Sequence, residues 1–307
     1  MRILITNDDG IEAPGLRALE HIAGEVSKDV WVVAPETNNS GASHSLTLAE
    51  PLRMRKLSER HHAVKGTPTD CVIMGVRFLM KDHPPDLIMC GVNQGQNLAD
   101  DVSYSGTVAG AIEGALLGIP SIAMSLVVGS TEIDQGGGKP KWETPMQHGA
   151  SLVRRLVQAG WPKGVLLNVN FPDCEPDAVK GSAATVQGQR DPDMLRVADR
   201  IDTRGRAYYW LGIQRRNSKP EKGTDIWAVR SNLISVTPLC LDLTDRKVVA
   251  SLEPRHLGWN TRKHFVLPTR TKPRPNPSRL AGSASSSTPN PSGHKKAREG
   301  AHLRPPD

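Results

Sequence analysis

Two adjacent aspartates, Asp8 and Asp9, close the stretch "ITNDDG" (5–10), directly behind the apolar run Ile3, Leu4, Ile5. Side chains alternate faces along a strand, so one solvated face does not take both carboxylates. The pair either faces water in an ordinary turn or holds a cation. The position favours the second reading, because α/β enzymes place metal ligands just beyond the carboxyl ends of buried strands.

Two further segments carry polar groups of the right kind. "NNSGASHSLT" (38–47) follows an apolar run and offers hydroxyls at Ser40, Ser43 and Ser45, with Gly41 freeing the backbone. His44 in the same loop titrates in a range suited to proton transfer, although a loop histidine without an identified partner is more often incidental. In "GVNQGQNLADDVSYSGTVAGAIEGALLG" (91–118), Asn93 and Asn97 can give amide oxygens to a metal or amide hydrogens to a phosphate. Ser105, Gly106 and Thr107 precede a helical pattern. Such a turn is an ordinary helix cap, and its exposed N–H groups also attract phosphate. "GTPTD" (66–70) reads as capping chemistry alone.

Competing phosphate and nucleophile motifs are missing from the sequence. "GGGK" (136–139) lacks the upstream glycine of a Walker A loop, no GxGxxG opens the first βα turn, and no GxSxG occurs. Two aspartates with serine and asparagine oxygens then point to a hard cation, Mg²⁺ or Mn²⁺ rather than zinc.

The elements that must position these groups follow from the apolar runs. "RILIT", "VWVVAP" (30–35), "DLIMCG" (86–91), "PSIAMSL" (120–126) and "GVLLNVNF" (164–171) read as strands. Helical stretches are expected at 14–24, 68–80, 107–117 and 146–159. The alternation predicts an α/β fold, a three-layer αβα arrangement around a mostly parallel sheet. The polar segments all fall at strand carboxyl ends, where such sheets bind ligands. From about 178 to 245, "GSAATVQG", "RAYYWLGI" and "DIWAVRSNLISVTPL" have strand composition, which predicts a β-rich extension with a hairpin used for assembly. A helical pattern near 252–264 is weak.

Charge narrows the function classes. The formal net charge is +7, but from Pro268 to Asp307 eight Lys/Arg face two acids, a net of +6. That leaves 31 Lys/Arg against 30 acids over residues 1–267, a net of +1. The tail holds eight prolines and the run "SASSS", so it is expected to be disordered. A near-neutral core with 4% aromatics argues against a specific nucleic-acid partner, since single strands need stacking platforms in a basic groove. No apolar run approaches the ~20 residues of a membrane span. A strand begins at Arg2 with no leader before it, and four scattered cysteines form no CxxC pair, so a cytoplasmic, reduced protein is expected.

Five blocks in order, "ITNDDGIEAPGLRAL", "VVAPETNNSGASHSLTL", "GTPTDCV", "GVNQGQNLADDVSYSGTVAGAIEGALLGIPSIA" and "GTDIWAVRSNLISVTPLCLDLT", resemble the SurE survival-protein family of nucleotide phosphatases. The resemblance runs from Met1 to about Thr244. It implies a Rossmann-like core with a protruding β-hairpin, filling 1–267 and leaving 268–307 as a tail. It implies a metal-dependent 5′-nucleotidase acting on nucleoside monophosphates, with 3′-monophosphates and short polyphosphate as further substrates. It also implies one Mg²⁺ or Mn²⁺ per subunit, and homodimers or homotetramers with exchanged C-terminal segments. Carried over by motif, the metal ligands are Asp8, Asp9, Ser40 and Asn93, the two aspartates being the catalytic groups. Asn97, Ser105, Gly106 and Thr107 fall in the phosphate-facing stretch. Thr37 and Asn39 stand where many relatives carry basic residues, and Ala99 replaces a common glycine. Attack by water and attack by one aspartate both remain open on the sequence. A non-catalytic nucleotide sensor on the same fold is the alternative, and it has less need of two carboxylates facing an anion.

Overall fold

Strand β1 (Arg2–Thr6) is buried on both faces, with Ile3, Leu4 and Ile5 all fully inaccessible, as a central parallel strand requires. The structure, a computed structural model, describes residues 1–129, 138–190, 195–213 and 220–252. After β1 come helix α1 (Pro14–Val26), β2 (Asp29–Pro35), β3 (Arg53–Lys56), β4 (His61–Lys65) and α2 (Pro68–Met74). The chain continues through β5 (Leu87–Gln94), α3 (Gly106–Leu116), β6 (Ser121–Leu126), α4 (Glu143–Ala159), β7 (Val165–Phe171) and β8 (Ser182–Ala184). It ends in β9 (Leu195–Ile201), β10 (Ala207–Ile213), α5 (Asp225–Arg230), β11 (Ile234–Cys240) and α6 (Arg246–Ser251). Two compact units divide it, Met1–Thr244 and Asp245–Asp307, and of the second only α6 and its flanks are described.

The first unit holds a nine-stranded sheet in the order β3-β4-β2-β1-β5-β6-β7-β11-β8. The six strands from β4 to β7 run parallel, while β3 on β4 and β11 on β7 are antiparallel. Period-two alternation sorts β1 into two cores. Ile3 and Ile5 pack with Leu16, Leu19 and Ile22 of α1 and with Val153 of α4. Leu4 packs on the other side with Val72 of α2 and with Val108 and Ala111 of α3. The result is the expected three-layer αβα fold. Burying each such aliphatic side chain stabilises the fold by roughly 1.5–3 kcal/mol.

Helix α3 lies close against the sheet because its inner face is small. A Cβ on Gly110 would fall 2.9 Å from Cys90 Sγ, and one on Gly114 would fall 2.2 Å from Ser121 Oγ. The strand order reverses between β1 and β5, which opens a crevice at their carboxyl ends. The polar turns collect beside that crevice.

Three expectations need correction. The β3–β4 pair was not anticipated, because "RMRK" is exposed and basic and reads as surface. "DIWAVR" is helix α5 and not strand: Thr224 caps it by accepting the Trp227 N–H, with Asp225 in its first turn. The 178–245 region is also not wholly an extension, since β8 and β11 join the main sheet and only β9 and β10 form a separate antiparallel hairpin. That hairpin exposes Val197, Ile201, Tyr209, Trp210 and Leu211. The helical pattern near 252–264 and the tail at 268–307 lie, apart from Leu252, outside the described residues. No helix among the described residues is long and apolar enough to cross a membrane.

Candidate metal and phosphate site

The turn after β1 is set by Asn7 and Gly10. Asn7 Nδ2 donates to Gly10 O at 2.9 Å, and Gly10 takes φ +105, which an L side chain rarely adopts. The turn leaves Asp8 buried, 4% exposed, beneath the start of α3. Thr107 donates its hydroxyl to Asp8 Oδ1. Gly106 completes the contact: a Cβ there would lie 2.8 Å from Asp8 Cβ and 3.0 Å from Asp8 Oδ2. Only glycine lets the helix start this close to the carboxylate.

Asp9 faces the other way. Its Oδ2 accepts the Gln94 N–H at 3.3 Å, and the nearby Ser40 hydroxyl draws its pKa downward. Asn39 N–H donates to Asp8 O at 2.7 Å, so the loop carrying Ser40 is tied to the same turn. Asn93, at the end of β5, spends its Nδ2 on Gly95 O at 2.9 Å, which leaves its oxygen as the end for a cation.

Electrostatics set this turn apart. Burial, followed by the repulsion of Asp9, pushes the Asp8 carboxyl up to about 6, against the pull of the Thr107 hydrogen bond. Burial also raises Asp9. Among the described residues no Lys, Arg or His pairs with either carboxylate. No cluster of three or more His, Cys, Asp or Glu forms among them, so any cation here would complete its shell with neutral oxygens. Asn7 Oδ1 is buried with no hydrogen-bond partner among the described residues. Two crowded carboxylates without counter-charge, set among hydroxyl and amide oxygens, fit a hard divalent ion.

The helix start supplies the anion side. Ser105 is the N-cap of α3, its Oγ accepting the Val108 N–H at 3.0 Å. Its oxygen is thereby an acceptor while its O–H can still donate, and first-turn N–H groups of a helix lack intrahelical acceptors and suit phosphate oxygens. Thr107 points inward to Asp8 and is fully buried.

Asn97 stands apart from this cluster. Its Nδ2 donates to Ser125 Oγ at 2.8 Å and its N–H to Asn170 Oδ1 at 2.9 Å. Asn168 and Asn170 both donate to Asn97 O. The side chain thus belongs to a buried polar network that fixes the 93–99 turn on β6 and β7. A second hold comes from Asp225, whose Oδ2 accepts the Ala99 N–H at 2.8 Å and whose Oδ1 accepts the Gly188 N–H at 2.9 Å. Arg190 adds an ion pair to Asp101.

Sequence reasoning missed Asn168, Asn170 and Asp225. The available signal was polar residues at alternate positions inside an apolar strand, "NVN" (168–170), and the aspartate of "GTDIW".

An α/β sheet that sets two carboxylates and a helix start around one switch-point crevice is built to handle an anion and a cation together. The family model described as "Survival protein SurE" matches residues 3–194. The chain is 56% identical over 245 residues to the 5′-nucleotidase SurE of Methylobacterium nodulans, covering 80% of this chain and 95% of that one. It is 53% identical over 252 residues to the 5′-nucleotidase SurE of Parvibaculum lavamentivorans, covering 82% and 90%. The crystal structure of the SurE protein from Aquifex aeolicus superposes with a TM-score of 0.71 at 42% identity, covering 82% of this chain and 98% of that one. The chain belongs to the SurE survival-protein family.

Proposed function

We propose that this protein is a divalent-metal-dependent 5′-nucleotidase that hydrolyses nucleoside 5′-monophosphates to nucleoside and phosphate. The observation that carries the reading is the adjacent pair of a buried Asp8 and a half-buried Asp9, without a cationic partner among the described residues. The 5′-nucleotidase descriptions of relatives at 53–56% identity support the substrate class.

Asp8, Asp9, Ser40 and Asn93 would hold one Mg²⁺ or Mn²⁺ per subunit. When bound, such an ion supplies Lewis-acid charge for phosphate oxygens and acidifies water for in-line attack. The chain's own groups do the rest. Thr107 fixes the Asp8 carboxylate through its hydroxyl. Gly106 and Thr107 offer backbone N–H groups to the phosphate, and Ser105 holds that turn in shape as its cap. Asn97 keeps the neighbouring turn in place from its buried network. 3′-monophosphates and short polyphosphate share the same phosphoryl chemistry and belong to the proposed range.

The catalytic domain would occupy 1–267, with 268–307 dispensable for turnover. The exposed apolar hairpin β9–β10 supports assembly into a homodimer or homotetramer. A cytoplasmic location fits the free cysteines Cys71, Cys90, Cys174 and Cys240. Phosphate release from a nucleotide panel, with Mg²⁺, Mn²⁺ or chelator, tests the reading. Release that survives exhaustive chelation overturns the metal, and binding without release would leave a sensor.

A further inference from the structure

The loop that carries Ser40 contains no regular element between β2 and β3, and most of its residues are exposed. Such a segment cannot hold one shape by burial, and fixing its residues costs backbone entropy. Its order has to come from tethers. Upstream, the Asn39 N–H is bound to Asp8 O at 2.7 Å, and Asn38 Oδ1 accepts the Ser40 N–H at 2.7 Å. Midway, Ser43 Oγ donates to Ser103 O at 2.8 Å, and His44 Nε2 meets Glu113 Oε2 at 3.1 Å.

The downstream tether is different in kind. Asp70, 2% exposed in the first turn of α2, closes a capping box with Thr67. That box occupies Asp70 Oδ2 with the Thr67 N–H at 2.9 Å. Asp70 does more than a cap needs. Its Oδ1 accepts the Thr47 N–H at 3.1 Å, and its Oδ2 accepts the Thr47 hydroxyl at 2.6 Å, across 23 residues of sequence. Thr67 Oγ1 reinforces the hold by donating to Ser45 O at 2.8 Å. Hydrogen bonds to a buried carboxylate are among the stronger ones available to a loop.

We propose that Asp70 is a positioning residue for the reaction: by gripping Thr47 it holds the loop closed, so that Ser40 stays against Asp9. The proposal rests on the reading above that Ser40 is a cation donor. Residues 39 to 47 then form a strap fixed at one end to the Asp8 backbone and at the other to the Asp70 carboxylate. Releasing the Asp70 end leaves the bonds of Ser43, His44 and Ser45 in place but slackens the strap, so that Ser40 shifts in the site without disturbing either core.

Thr47 gives the cleaner test, because Asp70→Asn also damages the cap of α2. In the full chain, Thr47→Val, Thr47→Ser, Ser40→Ala and the double variant Ser40→Ala/Thr47→Val would be titrated with Mn²⁺ by calorimetry, and metal-free melting followed in parallel. Thr47→Val should raise the Mn²⁺ Kd roughly tenfold, as loss of a charge-assisted hydrogen bond suggests, and Thr47→Ser should restore it. Metal-free melting should fall by a few degrees in Thr47→Val, the cost of one donor lost from a buried carboxylate, and Thr47→Ser should restore that too. The double variant should bind Mn²⁺ no worse than Ser40→Ala alone, because the two act through one group. Parent-like Mn²⁺ binding by Thr47→Val, or additive losses in the double variant, would overturn the proposal. Failure of the underlying reading looks different: the parent does not bind Mn²⁺, or Ser40→Ala binds it as the parent does. Asp70 then has nothing to position, and the proposal falls with that reading.

Discussion

Thr107 donates its hydroxyl to Asp8 Oδ1 across 99 residues of sequence, joining the start of α3 to the turn after β1. The bond lowers a carboxyl that burial and Asp9 push up. Removing it should therefore make Asp8 harder to ionise and freer to turn. Thr107→Val is expected to lower kcat/KM for a nucleoside monophosphate by roughly 10- to 100-fold, the scale of a lost hydrogen bond to a charged group of about 1.5–3 kcal/mol. Thr107→Ser should keep most of the rate. Equal kinetics for Thr107→Val and the parent would show the hydroxyl to be mere packing.

Asp8→Asn and Asp9→Asn should both fold, bind Mn²⁺ weakly and turn over almost nothing. Without metal, each should be as stable as the parent or more so, because deleting one of two crowded carboxylates, the one buried and the other half-buried, removes a repulsion. Urea melts in chelator and Mn²⁺ titrations measure both halves. Normal turnover by either variant would end the metal assignment.

Ala99 is fully buried at φ +53, held by the Asp225 carboxylate on its N–H and by Gln187 Nε2 on its carbonyl at 3.0 Å. The left-handed region costs a residue with a Cβ about 1–2 kcal/mol, and glycine returns about 0.4–1 kcal/mol of that through the unfolded chain. Ala99→Gly should therefore stabilise the protein by about 0.5–1 kcal/mol in urea unfolding, with activity unchanged. A loss of stability would mean that the methyl group packs well enough to outweigh the strain.

His62 is buried and stacks on Trp31 with ring centroids 6.3 Å apart. Burial, then Lys56 and His61, hold its pKa below the ordinary value. As pH falls through about 6.5 the unfolded chain takes up the proton first, so this contribution to stability is intact above that value and fades below it. The parent should lose stability from pH 7.5 to 5.5 more steeply than His62→Phe, which keeps the stack and cannot titrate. Parallel slopes in urea unfolding at the two pH values would dismiss the histidine as a contributor.

Legibility in the sequence followed burial. Strands β1, β2, β5, β6 and β7 lie in the sheet interior, and their continuous apolar runs show it. The β3–β4 edge was hidden, because Arg53, Arg55 and Lys56 are solvent-facing and leave no hydrophobic signature. "DIWAVR" misled in the opposite direction, since six residues are too short for helical periodicity to outweigh Ile, Trp and Val. At the candidate site, residues adjacent in sequence were readable and partners distant in sequence were not. "NDDG" announces itself, whereas the grip of Asp70 on Thr47 or of Asp225 on Ala99 exists only once the chain has folded. Asn97 shows the same limit, for its type and place suggested a substrate contact but did not announce the bonds of its Nδ2 to Ser125 and of its backbone N–H to Asn170.

Asn168 and Asn170, two fully buried amides on one face of β7, limit how far this protein can be improved. A search for greater thermal resistance would turn them into valine or leucine, on the face of β7 that Leu166 and the neighbouring Ala123 share with the second apolar core. The added apolar contact would be offset by Asn97 O losing both of its donors and Asn97 N–H its acceptor, about 1–3 kcal/mol for each buried group left unpaired, and the turn at the crevice would drift. Durability and turnover therefore both depend on two amides of a strand to which none of the proposed ligands belongs.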